Sequence, residues 1–289
     1  MAHSSGGYYV QHGSKWPIVG SVGLFVFTGG LAMYLNGNDT LGVFLPWLGA
    51  AILIFMICGW FGSVIRESLQ GLYNEQVDRS FRQGMVWFIF SEVMFFAAFF
   101  GALFYARALS VPWLGGEGAG AMTNMFLWPE FTAAWPTAGP ADLGGGFQTI
   151  GAFELPLINT LLLLTSGLTL TFSHWGLKQG NDRKTIGFLI ATIVLGLIFL
   201  CVQTYEYVHA YQDLNLRLDS GIYGATFFML TGFHGLHVTL GIIMLAVILV
   251  RCWKGHFSKS NHFGYEAVAW YWHFVDVVWL GLFVFVYVV

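Results

Sequence analysis

Glu92 is the first residue in this chain that could do chemistry. It lies inside GMVWFIFSEVMFFAAFFGALFYA, residues 84–106, with no Lys or Arg within a turn on either side. A carboxyl group exposed to lipid at that depth costs about 2.5 kcal/mol or more. It must therefore face protein, trapped water or a polar headgroup, or keep its proton. Two readings stay open: a functional intramembrane acid, or a neutral acid hydrogen-bonded between helices.

The histidines offer a second kind of chemistry. His234 and His237 in TGFHGLHV are three apart and so share a helix face, which favours hydrogen bonds to neighbouring helices. Glu206 and His209 in EYVH have the E-x-x-H spacing of di-iron bundles. Such a site needs a second E-x-x-H and two further carboxylates, and the sequence has only the one motif, near the outer end of its run. No metal site is expected. The three cysteines, Cys58, Cys201 and Cys252, are widely spaced beside or within apolar runs and read as buried thiols. Phosphate-binding glycine loops, nucleophile elbows and ligand sets for haem or copper are absent from the sequence.

Two polar clusters remain. The last run, HFGYEAVAWYWHFVDVVWL, carries Glu266, Trp270, Tyr271, Trp272, His273, Asp276 and Trp279. His273 and Asp276 are one turn apart and can pair. The run reads either as a proton relay or polar seam gripping another helix, or as an aromatic belt at the membrane interface with Glu266 in water. The belt leaves Asp276, which is deeper, unexplained. The other cluster is Trp60, Phe61, Arg66 and Glu67 in GWFGSVIRES, with Arg251 at the end of a later run. Arginines and aromatics at headgroup depth suit a lipid phosphate, because guanidinium binds it bidentately; ordinary snorkelling is the alternative.

The elements that position these residues are membrane helices. The 289 residues are 56% hydrophobic and 9% charged, against about 25% charged in a soluble domain. Seven apolar runs, about 16–35, 41–65, 84–107, 154–177, 186–211, 221–250 and 264–289, are too long and uninterrupted for barrel strands. Pro46 and Pro156 are placed in first helical turns, where proline is tolerated. The fold class is all-α, a polytopic bundle of seven transmembrane helices. The expected divisions are an N-terminal segment 1–15, a helical hairpin 16–65, a loop 66–83, and a five-helix bundle 84–289. That bundle includes an external loop, 109–152, without helical periodicity.

With the N-terminus inside, ten of the twelve Lys and Arg residues fall on the inner side; only Arg107 and Arg217 are outside. This bias places the N-terminus in the cytoplasm and the C-terminus outside. The short polar N-terminus before a full-length apolar run reads as a retained span, not a signal peptide. The net charge of −3 says little about partners, and with nothing resembling a basic patch no nucleic-acid partner is expected.

The chain resembles subunit III of the haem–copper oxidases, in the seven-helix form found in cytochrome c oxidase. The matching stretches are WPIVGS, VIRES, FIFSEVMFFAAFF, ELPLINTLLLLTSGLT, YGATFFMLTGFHGLHV and HFGYEAVAWYWHFVDVVWL. The resemblance implies a V-shaped, phospholipid-filled cleft between helices one and two and helices three to seven. It places Trp60, Phe61, Arg66, Glu67 and Arg251 at the lipid headgroup. It likens Glu92 to the family's buried carboxyl, which reacts with carbodiimides. It implies a subunit without redox centres, packed on subunit I beside subunit II, with haem a, haem a3 and copper held by those partners and cytochrome c as electron donor. Its roles would be to sustain proton uptake and to protect the oxygen-reducing centre. A bacterial inner membrane is the expected location. The 16–65 hairpin disfavours the quinol-oxidase relatives, which usually lack it. A free-standing proton or solute transporter is the alternative from another class, and no inverted repeat supports it. The 109–152 loop and His209 lie outside the resemblance and inherit no role from it.

Overall fold

The computed structural model describes residues 9–10, 13–142 and 145–289; most of the segment 1–15 lies outside the described residues. Among these, every regular element is helical. In chain order they are α1 (Trp16–Leu35), α2 (Leu41–Leu69), α3 (Glu75–Tyr105), α4 (Val111–Leu114), α5 (Ala121–Leu127), α6 (Leu155–Gln179), α7 (Asp182–Gln212), α8 (Gly221–Trp253) and α9 (Phe263–Leu282). Seven helical segments are long and apolar enough to cross a membrane. The third continues from α3 through a π-helical turn, Ala106–Ser110, into α4. At 33 residues, α8 is about 50 Å long and exceeds a hydrocarbon core of about 30 Å, so it tilts or projects.

The chain divides into two compact units between Gln83 and Gly84. The first is built on the α1–α2 hairpin. In lipid, helices gain little from burying apolar surface against each other, so close backbone approach through small residues takes over. A Cβ on Gly42 would lie 2.5 Å from the Tyr34 backbone nitrogen, and one on Gly49 would collide with the Phe27 backbone. At the far end, the Trp16 ring fills the space that a Gly59 side chain would need, and its indole N–H reaches Ser63 Oγ at 3.2 Å. Phe25 and Trp47 on the outer faces are more than 70% exposed, as lipid-facing residues should be. Pro46 sits inside α2, just past the first turn in which the sequence places it.

Two expected boundaries are corrected. α2 continues to Leu69 and α3 starts at Glu75, so the connection expected over 66–83 is confined to 70–74. The apolar runs had marked the hydrocarbon depth, whereas the helices extend into polar sequence beyond it. The segment expected as a non-helical loop over 109–152 begins in helix and includes α5. Asn124 of α5 donates through Nδ2 to the carbonyls of Leu114, Trp128 and Phe131, which satisfies the backbone of this fold in place of a helical ladder. Further on, the segment is tied to the α7–α8 connection. The Gln148 amide donates to the Leu214 carbonyl at 2.9 Å, and Phe147 stacks on Tyr223.

The second unit holds the core. α6 and α7 run antiparallel and share hydroxyl contacts, with Thr169 2.8 Å from Thr192 and Ser173 Oγ donating to the Thr185 carbonyl at 2.6 Å. α9 is the central rod, its buried face running from Tyr265 through Trp272 and Trp279 to Leu282. The thiols depart from expectation: Cys58 and Cys201 are exposed, and only Cys252 is partly covered.

Candidate functional site

α9 places an aromatic donor every seventh residue on one face. Tyr265 Oη donates to Ser173 Oγ at 2.7 Å, Trp272 Nε1 to Ser166 Oγ at 2.9 Å, and Trp279 Nε1 to Thr160 Oγ1 at 2.9 Å. The acceptors descend α6 as the donors ascend α9, the register of antiparallel helices with a seven-residue seam. Trp272 and Trp279 are wholly buried, so they do not form an interfacial belt. The Trp272 ring occupies a slot lined by Gly196 of α7 and Gly241 of α8, where an added Cβ would sit 2.8 Å and 2.7 Å from it. One indole therefore touches three helices besides its own. Trp270 lies off this face, edge-on to Phe263.

Glu92 points at α8. Its Oε2 lies 2.8 Å from His237 Nε2, while His237 Nδ1 lies 2.6 Å from the Phe233 carbonyl. A carbonyl oxygen only accepts, so Nδ1 carries a proton. Nε2 then either accepts from a neutral Glu92 carboxyl or, as imidazolium, donates to its carboxylate. Both states are neutral for the pair and differ only in where one proton sits. Phe95 and Phe96 pack against the imidazole and shield this contact.

His234 does not join them. It is fully buried on the α9 side, where its Nε2 donates to the Val275 carbonyl at 3.2 Å. His273 and Asp276 pair at 3.4 Å, with the imidazole exposed and the carboxylate buried. Asp276 Oδ2 fills the space beside Gly167, where any side chain would collide with it.

The E-x-x-H pair separates. Glu206 is wholly buried and accepts from Tyr287 Oη at 2.6 Å and Gln203 Nε2 at 3.2 Å. His209 turns outward to Asp213 at 2.7 Å. The two side chains thus serve different partners and converge on no common point.

In the first unit, Tyr73 donates to Glu67 Oε2 at 2.8 Å and Arg66 Nη2 to Ser63 Oγ at 3.3 Å, beside the exposed, stacked rings of Trp60 and Phe61. Tyr73 lies between α2 and α3; burial first, then the Glu67 carboxylate, push its phenol up from the ordinary value. Arg251, in the second unit, lays its guanidinium over the Phe257 ring at 4.3 Å.

The chain matches the family model described as cytochrome c oxidase subunit III over residues 6–289. The chain belongs to the cytochrome c oxidase subunit III family. It is 40% identical to proteins named cytochrome c oxidase subunit 3 from Scyliorhinus canicula, Dugong dugon and Latimeria chalumnae, over 99% of this chain and 98% of each relative. Membership makes the chain part of an oxidoreductase complex and of a respiratory chain, and its seven apolar helices make it integral to a membrane.

Sequence reasoning missed three features of this subunit III chain. Tyr265 was not connected with Trp272 and Trp279, although their seven-residue spacing, with hydroxyls at Thr160, Ser166 and Ser173, was legible. Glu92 and His237 were not paired, and no local signal links residues on helices so far apart in sequence. Glu266, which the belt reading puts in water, is largely covered and lies between His174 and His262, two residues that the sequence does not mark out.

Proposed function

We propose that this chain is the non-redox accessory subunit of an aa3-type cytochrome c oxidase, packed on subunit I beside subunit II. Those partners hold haem a, haem a3 and copper, and cytochrome c donates the electrons. The observation that carries this reading is the whole-chain family match. What supports a scaffolding role is that Glu92 is paired with His237 and the α9 donors with α6 hydroxyls inside the second unit. The hairpin α1–α2 supports the cytochrome c form over the quinol form.

Arg66 and Glu67, with the exposed Trp60 and Phe61, and Arg251 in the second unit, are proposed to meet phospholipid headgroups. Arginine matches phosphate geometry, and the aromatics suit headgroup depth. Bound lipid would sustain proton uptake and the lifetime of the oxygen-reducing centre. The distribution of Lys and Arg supports a bacterial inner membrane with the N-terminus cytoplasmic.

Capture of the tagged chain in mild detergent tests the assembly. Haem a absorbance should co-purify; colourless, partner-free protein that moves protons or solutes in liposomes would instead make it a transporter. Arg66→Ala combined with Arg251→Ala should lower retained phospholipid and shorten catalytic lifetime while initial oxygen consumption holds. Unchanged lipid content would remove the headgroup role.

A further inference from the structure

At one end of the second unit, the last turns of α6 meet the start of α9, and three side chains point at one spot. His262 Nε2 lies 3.3 Å from Glu266 Oε1, and His174 Nε2 lies 3.7 Å from the same oxygen. One donor atom from each of the three residues falls within 4.8 Å of the other two. Both Nε2 atoms are buried and make no hydrogen bond. His262 is itself more than nine-tenths buried.

The protonation of His262 is set by its other nitrogen. Nδ1 lies 3.0 Å from the Ser258 carbonyl, which only accepts, so the proton sits on Nδ1. In neutral imidazole this leaves the Nε2 lone pair facing a carboxylate oxygen. Two lone pairs at that separation repel. That repulsion is relieved either by a second proton, on Nε2 or on the carboxyl as in the Glu92–His237 pair, or by a metal cation held between the two atoms. A backbone carbonyl on the remote nitrogen is also how proteins hold histidine in its metal-ligating tautomer. His174 is steadied differently, by stacking on Tyr265, the first member of the α9 seam.

We propose that His174, His262 and Glu266 bind a divalent transition-metal ion of the zinc class. Two imidazoles and one carboxylate form a ligand set that zinc accepts, with a fourth position left for water. Tetrahedral bonds of about 2.0–2.1 Å put donor atoms about 3.3 Å apart. The two distances to Glu266, 3.3 Å and 3.7 Å, are close to that, and closing of His174 toward His262 completes the set. Calcium and magnesium are poorer fits, because they require several oxygen ligands and the site offers one carboxylate. Lys178, one turn beyond His174, acts against any cation here and sets a limit on affinity. The partial exposure of His174 and Glu266 gives the ion an entry path. Once bound, it would clamp the end of α6 to the start of α9, where the aromatic seam begins.

The test uses the whole oxidase complex, captured through this chain, stripped with chelator and titrated with Zn²⁺ alone. Wild-type complex should gain one zinc whose X-ray absorption fine structure shows two imidazoles. His262→Gln and Glu266→Gln should each weaken that zinc at least tenfold, with the haem spectrum confirming assembly. Equal zinc affinity in wild type and both variants would overturn the proposal. Should neither variant assemble, the wild-type spectrum still decides: zinc without imidazole scattering, or no zinc bound, overturns it. His174→Gln, at the more exposed ligand, should give an intermediate loss.

Discussion

Glu92 and His237 meet at 2.8 Å across 145 residues of sequence. Because Nδ1 is committed to the Phe233 carbonyl, the pair holds a single mobile proton and is neutral wherever that proton sits. An acid in the middle of α3 is thus accommodated without an arginine or lysine.

The pair makes the two residues unequal under mutation. Glu92→Gln keeps a donor for Nε2 and should change thermal stability of the detergent-solubilised complex little. His237→Leu strands the carboxyl and should cost about 1–3 kcal/mol, the penalty of a buried polar group without its partner. Equal loss from both would show that charge, not hydrogen bonding, holds the contact.

Packing and hydrogen bonding can be separated at Trp272. Interhelical hydrogen bonds in membranes average about 0.6 kcal/mol, whereas emptying a tryptophan site costs about 3–5 kcal/mol. Ser166→Ala should therefore be nearly silent in a denaturation series, and Trp272→Ala severe. Gly241→Ala should also destabilise, since its Cβ would stand 2.7 Å from the indole. A larger effect from Ser166→Ala than from Trp272→Ala would invert the ranking.

In the first unit, Gly59→Leu should disrupt the hairpin, because the Trp16 ring already occupies that space. Trp16→Ala should rescue part of the loss by clearing it. Crosslinking between cysteines placed on α1 and α2 would measure both. A double variant no better than Gly59→Leu alone would show that the clash lies elsewhere.

Tyr73 gives a pH dependence with a definite sign. Its phenol is pushed up by burial and by Glu67, so the folded chain holds the proton more tightly than the unfolded chain. Stability is unaffected below the ordinary phenol value of about 10 and falls as pH rises above it. Tyr73→Phe should flatten that alkaline decline relative to wild type. An identical slope in the variant would mean that Tyr73 does not titrate with unfolding.

The sequence by itself determined the seven spans, the all-helical class and the family. Those follow from local quantities: runs of apolar residues set by bilayer thickness, and motifs read along one helix. Helix ends beyond the hydrocarbon, such as α2 past Ile65 and α3 before Gly84, were not legible because hydropathy marks only the lipid-covered part. Tertiary structure alone decided the pairings. Glu206 and His209 are one turn apart, yet each turned to a different partner. Glu92 found His237, and Glu266 found His174 and His262, because helix rotation and depth are fixed by packing among several rods at once. Spacing along one helix says which residues share a face; only the neighbouring helices decide what that face meets.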